Sequence, residues 1–180
     1  MVLKQDLIVI TGANGFIGSC LVSQLNQIGF ENLILVDNFT DNKNHKNLDG
    51  KIYSEKYDIL EFITLINNSK FVPKFIFHLG AISSTLENNI ELLNIYNLEY
   101  SKKLWNYCTL NSVNFIYASS AATYGDGKLG YSDVHENIKF LKPFNLYWHY
   151  KNEFDNWVLN KKKNTTILDW FEVFQCLWPK

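Results

Sequence analysis

With 180 residues, 47% of them hydrophobic and 19% charged, the chain has the length and apolar fraction of one globular domain with a buried core, which excludes a disordered polypeptide. Its 18 acidic and 17 basic side chains leave a formal charge of -1 and lie in short alternating patches, so no basic face points to nucleic acid or an anionic membrane, and small-molecule partners are expected instead. Cys20, Cys108 and Cys176 are odd in number and outside any C-x-x-C spacing, which argues against a disulfide framework and a metal cluster. Residues 7–10 are too short for a signal-peptide core and no stretch has the length of a membrane span, so a cytoplasmic protein is expected.

In chain order, residues 7–10 are the first of four short apolar runs, followed by 33–36, 75–77 and 113–117, which read as strands buried on both faces. Between them, residues 16–29, 59–68 and 90–110 have the apolar spacing of amphipathic helices, with Gly29 placed to end the first. A weaker strand is expected at 51–57, a loop at 124–143 and a helix from about 145 to 161. The pattern predicts an α/β fold, a Rossmann-like doubly wound parallel sheet, joined by right-handed crossovers.

Gly12, Gly15 and Gly18 follow the first strand directly, where the chain must turn sharply, approach a pyrophosphate with bare backbone and pack a helix on the sheet. The helix starting near Phe16 aims its free N–H groups at the phosphates, so the loop is expected to bind a dinucleotide. Asp37 ends the second strand 19 residues after Gly18, where a carboxylate can accept hydrogen bonds from the adenosine ribose, which favours NAD. Asn38 with Lys43 or Lys46 offers an alternative receptor for a 2′-phosphate. NADP is the working expectation, with NAD as the alternative.

Tyr147 and Lys151 are four residues apart on a predicted helix and so share a face, where an ammonium lowers a phenol pKa and turns it into a usable base. Ser120, just past the fourth apolar run, falls at the carboxyl edge of the sheet, placed to hydrogen-bond the substrate oxygen whose proton Tyr147 takes. His78 reads as a structural residue at a strand end.

The Gly12 loop, the run from His78 through Leu79-Gly80-Ala81-Ile82-Ser83-Ser84 to Thr85, and the run from Ala118 through Ser119-Ser120-Ala121-Ala122-Thr123-Tyr124 to Gly125 together resemble the extended short-chain dehydrogenase/reductases, the NAD-dependent epimerase/dehydratase family. The likeness covers about residues 7–159. It is greatest to those members that epimerise C6 of a nucleotide-linked heptose, with UDP-glucose 4-epimerases and related dehydratases as the alternative.

The resemblance implies that Phe16, Ile17, Asp37, Asn38, Leu79, Gly80, Ala81, Ile82, Ser83, Asn97 and Lys151 contact the cofactor, and that Ser120 and Tyr147 meet the sugar. It further implies a homo-oligomer acting on a nucleotide sugar for the lipopolysaccharide core or another heptose-bearing glycan. Leu79, Trp148 and Tyr150 depart from the family pattern, the last two placing bulk beside Tyr147.

Residues 1–163 are therefore expected to form the dinucleotide-binding domain and residues 164–180 a frame-shifted tail. With synonymous codons freely chosen, Trp170 to Lys180 read one base later give G-L-R-F-F-N-V-Y-G-P, a segment similar to what the family carries there, and the shift begins near Lys161 to Lys163, a possible run of A bases. On that reading the substrate domain is absent and the sheet incomplete at its C-terminal end, so that the chain retains cofactor binding without turnover.

Overall fold

Branched and aromatic residues, concentrated in runs of four or five, build a single parallel sheet. Its strands are β1 (Ile8–Thr11), β2 (Leu33–Asp37), β3 (Glu55–Asp58), β4 (Phe75–His78) and β5 (Asn114–Tyr117), in the order β3-β2-β1-β4-β5. The computed structural model describes residues 2–40, 46–68, 71–120, 124, 128 and 145–162. Ile8 pairs with Leu33 on one side and Phe75 on the other, and Ile34 pairs with Glu55, all in parallel register. Central strands flanked on both sides cannot face water, which is why β1 and β2 are apolar along nearly their whole length. The edge strand β3 is instead Glu-Lys-Tyr-Asp, with Glu55 and Lys56 exposed, a charged rim that discourages further strand pairing.

The helices are α1 (Phe16–Gln27), α2 (Ile59–Asn67), α3 (Ile90–Leu93), α4 (Tyr100–Asn111) and α5 (Leu146–Lys162). Val22 and Leu25 of α1 close with Ala13 and Phe30 over Ile8, Ile10, Leu33 and Leu35 in one buried cluster. Asp58 both ends β3 and caps α2, accepting from Leu60 N at 3.2 Å. The helix expected at 90–110 is real but broken: between α3 and α4, residues Asn94–Glu99 form a π-helical turn.

Backbone contacts divide the chain into two units, Met1–Gly80 with Lys103–Ile116, and Ala81–Lys102 with Tyr117–Lys180. The first holds β1 to β4, α1 and α2. In the second, α5 packs on α3 and on the π-helical turn. The predicted loop at 124–143, apart from Tyr124 and Lys128, and the tail at 164–180 lie outside the described residues.

Leu35 is fully buried in the α1-facing cluster. Leu35→Ala is expected to cost about 2–5 kcal/mol, lowering the urea midpoint while leaving the denaturant slope unchanged.

Candidate functional site

The candidate residues fall into two groups, each within one unit. In the first unit, β1 ends at Thr11 and the chain turns through Gly12 at φ +69°, a conformation that disfavours any side chain. A Cβ on Gly12 would also lie 2.6 Å from Gly80 N, and one on Gly18 only 2.1 Å from the Gly12 carbonyl oxygen. Those two glycines are thus demanded by the protein's own packing.

Gly15 differs. Its backbone is extended, and a Cβ there would meet only the Gly12 oxygen, at 3.3 Å. Gly15 is also the N-cap of α1, where no side chain caps the helix and no acidic residue occupies the first turn. The first-turn N–H groups together with the dipole make a receptor for an anion, and the missing side chain leaves room for it. These features fit a dinucleotide pyrophosphate. Phe16, 72% exposed, and Ile17, 46% exposed, follow immediately, as apolar surface beside the uncapped turn.

Asp37, at the end of β2, accepts from Asn14 N through one carboxylate oxygen and from Asn38 N through the other, both at 2.7 Å. Asn47 Nδ2 donates to the Asn14 carbonyl at 2.8 Å, tying the same loop from a second direction. Asn38 is exposed and accepts from Thr40 N and Oγ1; Lys46 is exposed, and Lys43 lies outside the described residues. Leu79 N donates to the Thr11 carbonyl at 3.1 Å, and its side chain packs against the α1-facing cluster. Gly80 N donates to Thr11 Oγ1 at 3.2 Å, and that hydroxyl is 2.7 Å from His78 Nδ1. His78 is 1% exposed and stacks on Phe115, in keeping with the structural role read from its position.

In the second unit, Ala81 and Ile82 are half-buried and Ser83 is exposed. Asn97, only 1% exposed, donates to the Ile82 carbonyl at 3.0 Å and accepts from Ile82 N at 2.8 Å. Both ends of its amide are committed to that backbone, so Asn97 shapes the Ala81–Ser83 turn. The π-helical turn that carries it is a one-residue expansion of a helix, a feature frequent at functional sites.

Tyr147 and Lys151 both lie on α5, one turn apart, and the Ser120 side chain is hydrogen-bonded to Tyr147. The expectation for the phenol pKa is corrected here. Burial raises it, and the Ser120 hydrogen bond opposes that shift only in part. Lys151 is not spent on the phenol; its Nζ donates to the Ala118 carbonyl at 2.9 Å. Burial pushes the lysine down to about 8, against the opposing pull of the Asp155 charge.

Asp155, 4% exposed, had no sequence signal beyond its place one turn after Lys151, and it accepts from Tyr117 OH and Ser119 Oγ. The bulk of Tyr150 is buried, with its hydroxyl donating to the Ile90 carbonyl at 3.2 Å, so this departure from the family pattern serves to hold α5 on α3.

A strand, a glycine turn and an uncapped helix N-terminus on a β3-β2-β1-β4-β5 parallel sheet define a dinucleotide-binding α/β protein. The model of the NAD dependent epimerase/dehydratase family matches residues 8–173, and the chain belongs to that family. It is 36% identical over 170 residues to an ADP-L-glycero-D-manno-heptose-6-epimerase of Nitratidesulfovibrio vulgaris, covering 92% of this chain and 53% of that one. The corresponding protein of Fusobacterium nucleatum is 35% identical over 179 residues, covering 97% and 54%.

The crystal structure of the Helicobacter pylori ADP-L-glycero-D-manno-heptose-6-epimerase superposes with a TM-score of 0.74 at 30% identity, over 88% of this chain and 51% of that one. The chain spans about half the length of these relatives. Among the described residues no helix is long and apolar enough to cross a membrane.

Two predictions follow from the geometry. Gly15→Ala is expected to lower the thermal transition less than Gly18→Ala does while weakening dinucleotide binding more than that loss of stability explains; calorimetry and a fluorescence titration separate the two. Between pH 8 and the ordinary lysine value of about 10.4, the unfolded chain binds more protons at Lys151 than the folded one, so this residue adds stability as pH rises through that window. The melting temperature of Lys151→Met minus that of the wild type is therefore expected to be most positive below pH 8 and to shrink towards pH 10.

Proposed function

We propose that this chain carries the cofactor-binding part of a nucleotide-sugar epimerase acting at C6 of an ADP-linked heptose, with Ser120, Tyr147 and Lys151 as its catalytic set. The observation that carries the reading is the Ser120–Tyr147 hydrogen bond on a chain whose similar curated relatives are heptose epimerases. When bound, the dinucleotide supplies a nicotinamide that takes a hydride from C6 and returns it to the other face.

Tyr147 takes the C6 hydroxyl proton as the hydride leaves and gives it back to the ketone oxygen as the hydride returns, so each turnover closes without net oxidation. Ser120 holds that oxygen. Only Tyr147 in its phenolate form takes that proton, and the proton it gains is the one it returns; burial, which raises the phenol pKa, keeps the phenolate scarce, and the Ser120 hydrogen bond opposes burial in part. The buried Lys151 amine binds the nicotinamide ribose and adds positive charge in a site of low dielectric.

NADP is the preferred dinucleotide in this reading and NAD the alternative. Both Asp37 oxygens hold backbone amides, and the 2′-phosphate is received by Asn38 with Lys43 or Lys46.

The test begins with fluorescence titration of NADPH and NADH into the chain. NADPH is expected to bind more tightly, and Lys43→Ala or Lys46→Ala to narrow the difference. With ADP-heptose present, the chain by itself is expected to form no C6 epimer by proton NMR, since it spans about half the length of its relatives. Tyr147→Phe is expected to leave NADPH affinity within a factor of about two. Turnover of UDP-glucose would move the assignment to a 4-epimerase, and failure to bind either dinucleotide would refute it.

A further inference from the structure

Tyr147, Lys151 and Asp155 recur every four residues on α5 and so form one stripe along its face. The chain leaving β5 meets this stripe at successive points. The Ser120 side chain is hydrogen-bonded to Tyr147. The Ala118 carbonyl accepts from Lys151 Nζ at 2.9 Å. Tyr117 OH and Ser119 Oγ donate to the two carboxylate oxygens of Asp155, at 2.8 and 2.5 Å.

Asp155 takes the two alternate residues Tyr117 and Ser119, and the carbonyl of the residue between them, Ala118, faces Lys151. The segment runs against the helix, with residue 120 at Tyr147 and residue 117 at Asp155.

We propose that Asp155 is the positioning residue that sets this register: by holding the Tyr117 and Ser119 hydroxyls it presents the Ala118 carbonyl to Lys151 and Ser120 to Tyr147. Its functional meaning rests on the reading of Ser120, Tyr147 and Lys151 given above, but the register itself does not. A buried carboxylate costs far more than an apolar side chain of similar size unless donors satisfy it, so packing alone gives no reason for an acid at this place. Two hydroxyl donors, one on each oxygen, supply both the compensation and the geometry, since a carboxylate bonded on both oxygens fixes two alternate residues of the passing chain at once. The negative charge of Asp155 also counters part of the effect of burial on the Lys151 amine, which keeps that amine a donor to Ala118.

The test is competitive labelling of lysine amines with trace acetic anhydride in the cofactor-free protein, read peptide by peptide by mass spectrometry. Lys151 is expected to react slowly compared with the exposed Lys74. Asp155→Leu is expected to speed Lys151 labelling about tenfold, and the isosteric Asp155→Asn, which keeps one acceptor oxygen, about threefold.

Val158→Ala, a truncation of a fully buried residue on the same helix that touches none of these bonds, is expected to lower the melting temperature and leave Lys151 labelling slow. If Asp155→Leu fails to fold, Asp155→Asn decides alone. Lys151 labelling as slow in a folded Asp155 variant as in the wild type, or equally fast in Val158→Ala, would overturn the proposal. Loss of dinucleotide binding in the wild type would instead sink the functional reading, since the labelling needs no cofactor.

Discussion

Two backbones cross at Gly12 and Gly80 with so little room that a Cβ on Gly12 would sit 2.6 Å from Gly80 N. Much of the first unit follows from that crossing. Because β1 and β4 are parallel neighbours, their carboxyl ends emerge side by side, and the turns that follow them must share one small space. Thr11 settles how. Its hydroxyl lies between His78 Nδ1 and Gly80 N while its carbonyl takes Leu79 N, so one residue at the end of β1 fixes both turns. The glycine turn is then held from its far side by Asp37 and Asn47. Among the described residues no side chain caps the first turn of α1 at Gly15, and its physics is that of an anion receptor.

The second unit solves a related problem with different means. Its candidate side chains stand on a helix, and a helix positions side chains only as well as it is itself registered against its neighbours. Tyr150 fastens α5 to α3 through the Ile90 carbonyl, while the Lys151 and Asp155 contacts fasten it to residues 117–119. Asn97 does for the Ala81–Ser83 turn what Asp37 does for the glycine loop, spending a whole polar side chain on backbone groups. In each case a residue with the chemistry of a binding group works first as a scaffold.

Strand positions were legible because burial on both faces forces continuous apolar runs, and the runs at 7–10, 33–36 and 75–77 reappear as β1, β2 and β4. Each strand nevertheless extends to a polar residue, Thr11, Asp37 or His78, that hydropathy leaves out. Those end residues bear hydrogen bonds that organise the turns, so the pattern fades where function begins. The single helix expected at 90–110 was misjudged for a comparable reason. The π-helical turn keeps the chain helical, so apolar spacing over 90–110 does not mark it, yet it carries Asn97.

By itself the sequence determined the class of sheet, the place of the glycine loop and the position of Tyr147 and Lys151 one turn apart on a helix, since these depend on local periodicity, on residues only a few positions apart, or on side chains that a tight turn forbids. Tertiary structure decided what those residues do electrostatically. Whether Lys151 serves the phenol or the Ala118 carbonyl, and whether the Tyr147 pKa falls or rises, depends on burial and on partners some thirty residues distant in the chain. Asp155 belongs wholly to that second category. Nothing in its neighbours along the chain marks it, because its two partners, Tyr117 and Ser119, are brought to it only by the folded path of the backbone.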